Sequence, residues 1–159
     1  MEAGPPPRTP EENDLLRLCA SLNRHDVRYI VVGGMAVIHH GLLRATEDID
    51  LLLEPSRENQ AKALASLEIF SDKAVREIQE SDLDTYTVVR VADEIVVDLM
   101  LSACGVSYDD AVDQIEIRTI NGVPIPFPTV ELLLRMKQTY RDKDIVDRNF
   151  LQHKLGRHN

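Results

Sequence analysis

The segment Asp48-Ile49-Asp50-Leu51-Leu52-Leu53 limits this chain more than any other stretch of its sequence. It reads as a β-strand, stopped by Glu54-Pro55, and side chains alternate across a strand. Asp48 and Asp50 therefore leave one face, while Ile49, Leu51 and Leu53 leave the other. Any sheet built on this strand has an apolar face to bury and an opposite face that carries two carboxylates. Neighbouring ionised carboxylates repel, and holding both near a core requires a cation. The pair is either an exposed strand end or the seat of a divalent cation.

A third acid bears on that choice. Asp98 lies within Glu94-Ile95-Val96-Val97-Asp98-Leu99-Met100-Leu101, a second apolar strand. Ile95, Val97, Leu99 and Leu101 share one face, which leaves Asp98 on the other. An ionised carboxylate in such a strand needs an arginine, a helix N-terminus or a metal, because burying it alone costs several kcal/mol. If the two strands are neighbours, three carboxylates converge, and hard oxygen donors of this kind select Mg²⁺ or Mn²⁺ over zinc.

Val31-Val32-Gly33-Gly34-Met35-Ala36 reads as a strand, a sharp glycine turn and a helix start. Without Cβ atoms, Gly33 and Gly34 permit a tight turn and let an anion approach the backbone. Thirteen residues separate Gly34 from Asp48. In a strand–turn–helix–strand unit that span returns the chain to the same sheet edge. Phosphates on backbone amides would then lie beside a carboxylate-bound metal, the geometry of phosphoryl chemistry.

The rest of the 159-residue chain fits one α+β domain, a mixed twisted sheet with helices packed on it. Residues 1–8, rich in proline, read as a flexible tail. Thr9-Pro10-Glu11-Glu12 reads as a capped helix start, followed by Leu15, Leu18, Cys19 and Leu22 at helical spacing. Ser56 is a candidate cap for a helix with Ala61, Leu64, Ala65 and Leu67 on its apolar face. Thr85–Val91 and Glu94–Leu101 read as a hairpin over a two-residue loop, Ala92-Asp93. Ile115–Ile120 and Val123–Phe127 form another across Asn121-Gly122. The core is placed at residues 9–127, and residues 128–159 form a C-terminal helical segment of the same domain. Cys19 and Cys104 read as small core residues, and His39 and His40 as scaffold.

The net charge is −9, and residues 135–159 carry a local +4 while the remainder carries −13. Such a balance disfavours non-specific binding to nucleic acid or anionic membrane, although the basic C-terminal helices leave RNA, including tRNA, as a possible acceptor. Two cysteines without C-x-x-C spacing exclude a disulfide scaffold and a cysteine zinc site. No window of about 18 apolar residues spans a membrane. With no apolar leader segment, a cytoplasmic protein is expected.

Taken together, Gly33-Gly34, Arg44-Ala45-Thr46-Glu47-Asp48-Ile49-Asp50 and Asp98 resemble the minimal nucleotidyltransferases of the DNA polymerase β superfamily. The pattern G-G-x-A followed by H-G-x-x-R-x-T-x-D-I-D is similar to that of the abortive-infection-type toxin nucleotidyltransferases and, more distantly, the lincosamide nucleotidyltransferases. Glu131, Leu132 and Lys137, then Arg141, Lys143, Asp144 and Asp147, also fit, so the resemblance covers residues 28–150. It implies that Asp48, Asp50 and Asp98 are the catalytic, Mg²⁺-binding acids. Gly33, Gly34, Arg44, Thr46 and Lys137 would contact the nucleotide or hold its site. A nucleoside monophosphate would pass from an NTP such as ATP to a hydroxyl or phosphate acceptor on RNA, a protein or a small molecule. Many relatives carry Ser after the first glycine, where this chain has Gly34. Larger ones carry an acceptor domain, so a homodimer or partner protein is expected to complete the pocket. A catalytically degenerate nucleotide-binding regulator, or an antitoxin-like partner, is the alternative. A D-x-D glycosyltransferase needs a larger domain, and an aspartyl phosphatase a different residue after Asp50. Asp144 and Asp147 read as structural, capping the last helix or pairing with Lys143 or Arg148.

Overall fold

The computed structural model describes residues 5–139 and 141–157. Helix α1 (Glu12–Arg24) leads into β1 (Tyr29–Val32), α2 (Gly33–His39), β2 (Asp48–Leu53) and α3 (Arg57–Ser66). Short 3₁₀ turns and α4 (Asp82–Thr85) precede β3 (Val89–Ala92) and β4 (Val96–Met100). A two-rung hairpin of β5 (Ser102–Ala103) and β6 (Val106–Ser107) follows, then α5 (Tyr108–Ala111). The chain ends with the hairpin β7 (Ile115–Ile120) and β8 (Val123–Pro128), then α6 (Val130–Met136) and α7 (Asp142–Arg157). The α+β class read from the sequence is the class observed. Among the described residues no helix is long and apolar enough to cross a membrane.

The central sheet has the order β1-β2-β4-β3. Strand β2 pairs antiparallel with β1 and parallel with β4, and β3 closes the edge antiparallel to β4. Its apolar face presents Tyr29, Val31, Ile49, Leu51, Leu53, Val89, Val91, Val97 and Leu99 to one core. Leu15, Leu18, Cys19 and Leu22 of α1 and Leu67 pack on them, as the helical spacing predicts. The opposite face is divided. Ile30, Val32 and Leu52 form a smaller apolar cluster with Leu132 and Met136 of α6. Asp48, Asp50 and Asp98 occupy the part of that face beyond the cluster.

Several local readings are corrected. The first helix is capped by Glu11 in a box with Asp14, not by Thr9. Arg8 explains the shift: its guanidinium forms two 2.6 Å bonds to the Asp14 carboxylate, and its amide donates to the Glu94 carbonyl. Of the expected tail, residues 1–4 lie outside the described residues. Helix α3 is capped by Ser56 but buries Asn59, Gln60, Ala63 and Ser66 rather than Ala61 and Ala65. Asn59 earns its burial by hydrogen bonds to Arg28 and Glu54 backbone groups.

The first hairpin turns one residue later than expected. Its strand starts at Val89, and the loop is Asp93-Glu94-Ile95, because buried Asp93 accepts backbone N–H bonds from Asp72, Ala74 and Glu94. The β7–β8 hairpin turns at Asn121 and Gly122, both at positive φ, as the Asn-Gly signal requires. Cys104 is exposed, at φ 49° in the β5–β6 turn, rather than in the core. The C-terminal helical segment is two helices, α6 ending at Met136 and α7 starting at Asp142.

Candidate active site

Sheet register aligns the site. Arg90 lies opposite Asp98, Asp98 opposite Asp50, and Asp50 opposite Val32, one row across four strands. Val32 leads directly into the glycine turn, so the row runs from an arginine through two acids to a backbone bend. Asp48, two residues before Asp50, stands on the same face. One carboxylate oxygen from each acid lies within 4.8 Å of the other two.

The bend and the acids are mutually fitted. Gly33 has φ 65°, and a Cβ there would lie 1.9 Å from Asp50 Oδ2. A Cβ on Gly34 would lie 2.4 Å from Thr46 Oγ1 and 3.1 Å from Arg44 Nη2. Both glycines are therefore required by close approach, and at Gly33 also by backbone conformation. Thr46 is buried, and its hydroxyl donates to the Asp48 carbonyl at 3.2 Å, which fixes the entry into β2. Arg44 crosses to α7, where Nε and Nη2 bond the two oxygens of Asp147 at 3.0 and 2.9 Å.

Crowding sets the electrostatics. Burial first, then the charges of Asp48 and Asp98, push the Asp50 carboxyl up to about 7. Burial and Asp98 likewise raise Asp48. Arg90 answers this charge: Nε and Nη2 bond Asp98 at 2.9 and 3.0 Å, and Nη2 reaches Asp48 Oδ2 at 3.2 Å. Its own ionisation is raised by those bonds. Three carboxylate donors converging within reach of one ion suit a hard divalent cation. The guanidinium that reaches two of them from the solvent side marks the same need for positive charge.

A cavity of about 280 Å³ opens over this row. Asp48, Asp50, Asp98, Gly33, Gly34, Arg44, Thr46 and Lys137 all line it, so every site residue singled out from the sequence meets in one place. Arg90, Arg141, Lys143 and Cys104 line it too. Lys143 is exposed at the edge, and its charge favours the ionised forms of Asp48 and Asp50.

Lys137 is buried, with its amine 3.2 Å from Asp144 Oδ1 and 3.0 Å from Asp147 Oδ2. Asp144 also accepts from Thr139 and Arg141. Burial alone would raise Asp144, but the bonds from Thr139, Arg141 and Lys137 lower it below the usual carboxylate range. Asp144 and Asp147 thus pair with Lys137, Arg44 and Arg141, not with Lys143 or Arg148. His40 is buried and bonded to the Pro128 carbonyl, and His39 stacks on Phe127.

Arg90 was not singled out from the sequence. A two-residue loop at Ala92-Asp93 would set Arg90 opposite Ile95; only the true loop sets it opposite Asp98.

Residues 14–151 match the aminoglycoside-2''-adenylyltransferase family. The chain belongs to that family. No curated protein matches it. Among solved structures, the fold is similar to a Thermotoga maritima protein provisionally named a nucleotidyltransferase, with a TM-score of 0.53 and 18% identity over 92% of each chain. Membership in the adenylyltransferase family places the chain among nucleotidyltransferases, and the acid row falls inside the matched span.

Proposed function

We propose that this chain is a divalent-metal-dependent nucleotidyltransferase that moves a nucleoside monophosphate from an NTP to an acceptor hydroxyl. The observation that carries the reading is the row Asp98–Asp50 set against Gly33, with Asp48 beside it. Asp48, Asp50 and Asp98 would hold Mg²⁺ or Mn²⁺, which supplies charge neutralisation to the phosphate oxygens. Gly33 and Gly34 offer backbone amides to the triphosphate. Arg141, just before α7, and Lys143, in its first turn, reach it, while Arg44, Thr46 and Lys137 hold the wall behind it. The acceptor oxygen bonds the α-phosphorus, its proton passes to Asp98, and the bond to pyrophosphate breaks.

The family's name speaks of an adenylyl donor and an aminoglycoside acceptor, so ATP and a hydroxyl of a polycationic sugar are the first pair to test. A net charge of −9 suits a cationic acceptor better than RNA. An RNA or protein acceptor, as the abortive-infection toxins suggest, enters the same assay. Incubation with α-labelled and γ-labelled ATP distinguishes the outcomes. Transfer of α-label alone, abolished by Asp50→Asn, supports the proposal; transfer that survives Asp50→Asn contradicts it.

A second reading rests on Arg90, which engages both oxygens of Asp98. A chain whose arginine never releases that acid would bind nucleotide without turnover and serve as a regulator. ATP binding with no transfer to any acceptor favours it.

A further inference from the structure

A different set of cation donors lies at the far end of α2. His39 Nε2 is 2.8 Å from Glu116 Oε1, and His40 Nδ1 is 3.7 Å from the same oxygen. One donor atom from each of the three residues lies within 4.8 Å of the other two. Around a tetrahedral zinc with bonds of about 2.0–2.1 Å, adjacent donors stand about 3.3 Å apart, so the carboxylate and both imidazoles would adjust toward that spacing to seat the ion.

The hydrogen bond made by His40 is the independent observation. Its Nε2 lies 2.8 Å from the Pro128 carbonyl oxygen, which can only accept. The proton therefore sits on Nε2, and Nδ1 turns a lone pair toward the Glu116 carboxylate, itself an acceptor. Two acceptors face each other with no hydrogen between them. A histidine whose other ring nitrogen donates to a carbonyl is the usual arrangement of a metal ligand. His39 is oriented by stacking on Phe127, with ring centroids 4.1 Å apart and planes within 2°. Among the described residues its buried Nδ1 has no hydrogen-bond partner, and Nε2 is the nitrogen that faces Glu116. Glu116 is exposed, which leaves the ion's remaining position open to water.

We propose that His39, His40 and Glu116 form a second divalent-cation site, of the zinc class, that ties the end of α2 to β7. Two imidazoles and one carboxylate suit zinc, whereas the all-carboxylate row suits magnesium. Helix α2 begins at the glycine bend and runs about 10 Å to this site, so the ion would brace the helix that carries the bend.

Cobalt is the probe, titrated into the full chain with Mg²⁺ in large excess to occupy the carboxylate row. The expected result is one Co²⁺ per chain with the intense visible bands of tetrahedral coordination, displaced by Zn²⁺. Outer partners alone are worth about 10–100-fold in metal affinity, so Glu116→Gln or His40→Gln should weaken binding at least about tenfold. Glu116 is exposed, so its variant stays folded and decides the matter if His40→Gln does not. Asp48→Asn should leave the bands unchanged. Absent tetrahedral bands, bands unchanged in Glu116→Gln, or bands lost in Asp48→Asn would overturn the proposal and leave His39–Glu116 as a plain hydrogen-bonded pair.

Discussion

Arg90 grips Asp98 with two nitrogens, at 2.9 and 3.0 Å, and so provides a positive charge to a carboxylate that the sheet buries. The same guanidinium reaches Asp48 at 3.2 Å. An exposed side chain thereby offsets part of the repulsion among three acids without a metal.

Arg90→Met should accordingly destabilise the metal-free protein and tighten its hold on Mg²⁺ or Mn²⁺. The arginine is mostly exposed, so the loss is about 1–2 kcal/mol rather than the 3–5 of a fully buried pair. Thermal melts in chelator and in Mg²⁺ check both parts: the variant melts lower in chelator, and the gap between the two conditions widens.

Gly33→Ala combines left-handed backbone with a Cβ that would meet Asp50 at 1.9 Å. A cost of about 2–4 kcal/mol and loss of nucleotide binding are expected. Gly34→Ala keeps ordinary backbone angles but would meet Thr46 at both Oγ1 (2.4 Å) and Cβ (2.8 Å), so buried Thr46 must shift, at a cost of about 1–3 kcal/mol. Denaturant unfolding of the two variants ranks them.

The Asp50 carboxyl, pushed up to about 7 from 3.8, predicts an unusual pH dependence. The folded state holds this proton more tightly than the unfolded one. Its stabilising contribution is complete below about pH 4 and is lost as pH rises through about 7. Asp14 moves oppositely, lowered first by its bond from Arg8, and its contribution is lost as pH falls through its folded pKa. Metal-free protein should therefore be most stable in mild acid. Asp50→Asn should raise its stability at pH 8 by about 1–4 kcal/mol. Melts across pH, with and without Mg²⁺, test this: the alkaline decline should vanish with the metal.

Lys137 and Lys143 separate support from contact. Lys137→Met strands two buried carboxylates and should cost about 3–5 kcal/mol, reduced where Arg44 and Arg141 hold them. Lys143→Ala, at an exposed position, should change stability within about 0.5 kcal/mol yet weaken ATP binding several-fold. Calorimetric titration and chemical unfolding of both variants measure the split.

Alternation put Asp48 and Asp50 on one face of their strand and Asp98 on the non-apolar face of its own, since side-chain direction follows from strand geometry; the parallel pairing that unites them was a condition the fold supplied. The glycine pair likewise marked a bend. What stayed hidden depended on distant partners. Asp93 buries itself under three backbone amides, and the hairpin loop both starts one residue later and is one residue longer, which together change the partner of Arg90 from Ile95 to Asp98. Arg8 shifts a helix cap by reaching Asp14 across six residues, and Asn59 takes a core position that hydrophobicity assigns to alanine. The salt bridges from Arg44 and Lys137 to Asp147 span separate elements, and no local pattern announces them.

The central claim is that three carboxylates form one cation seat beside the glycine bend. Manganese binding followed by electron paramagnetic resonance, with and without a non-hydrolysable ATP analogue, tests it most directly. The account predicts that nucleotide tightens Mn²⁺ binding in the native chain and that Asp50→Asn, still folded, loses that effect. Equal Mn²⁺ binding in the native protein and in Asp50→Asn, indifferent to nucleotide, would contradict it.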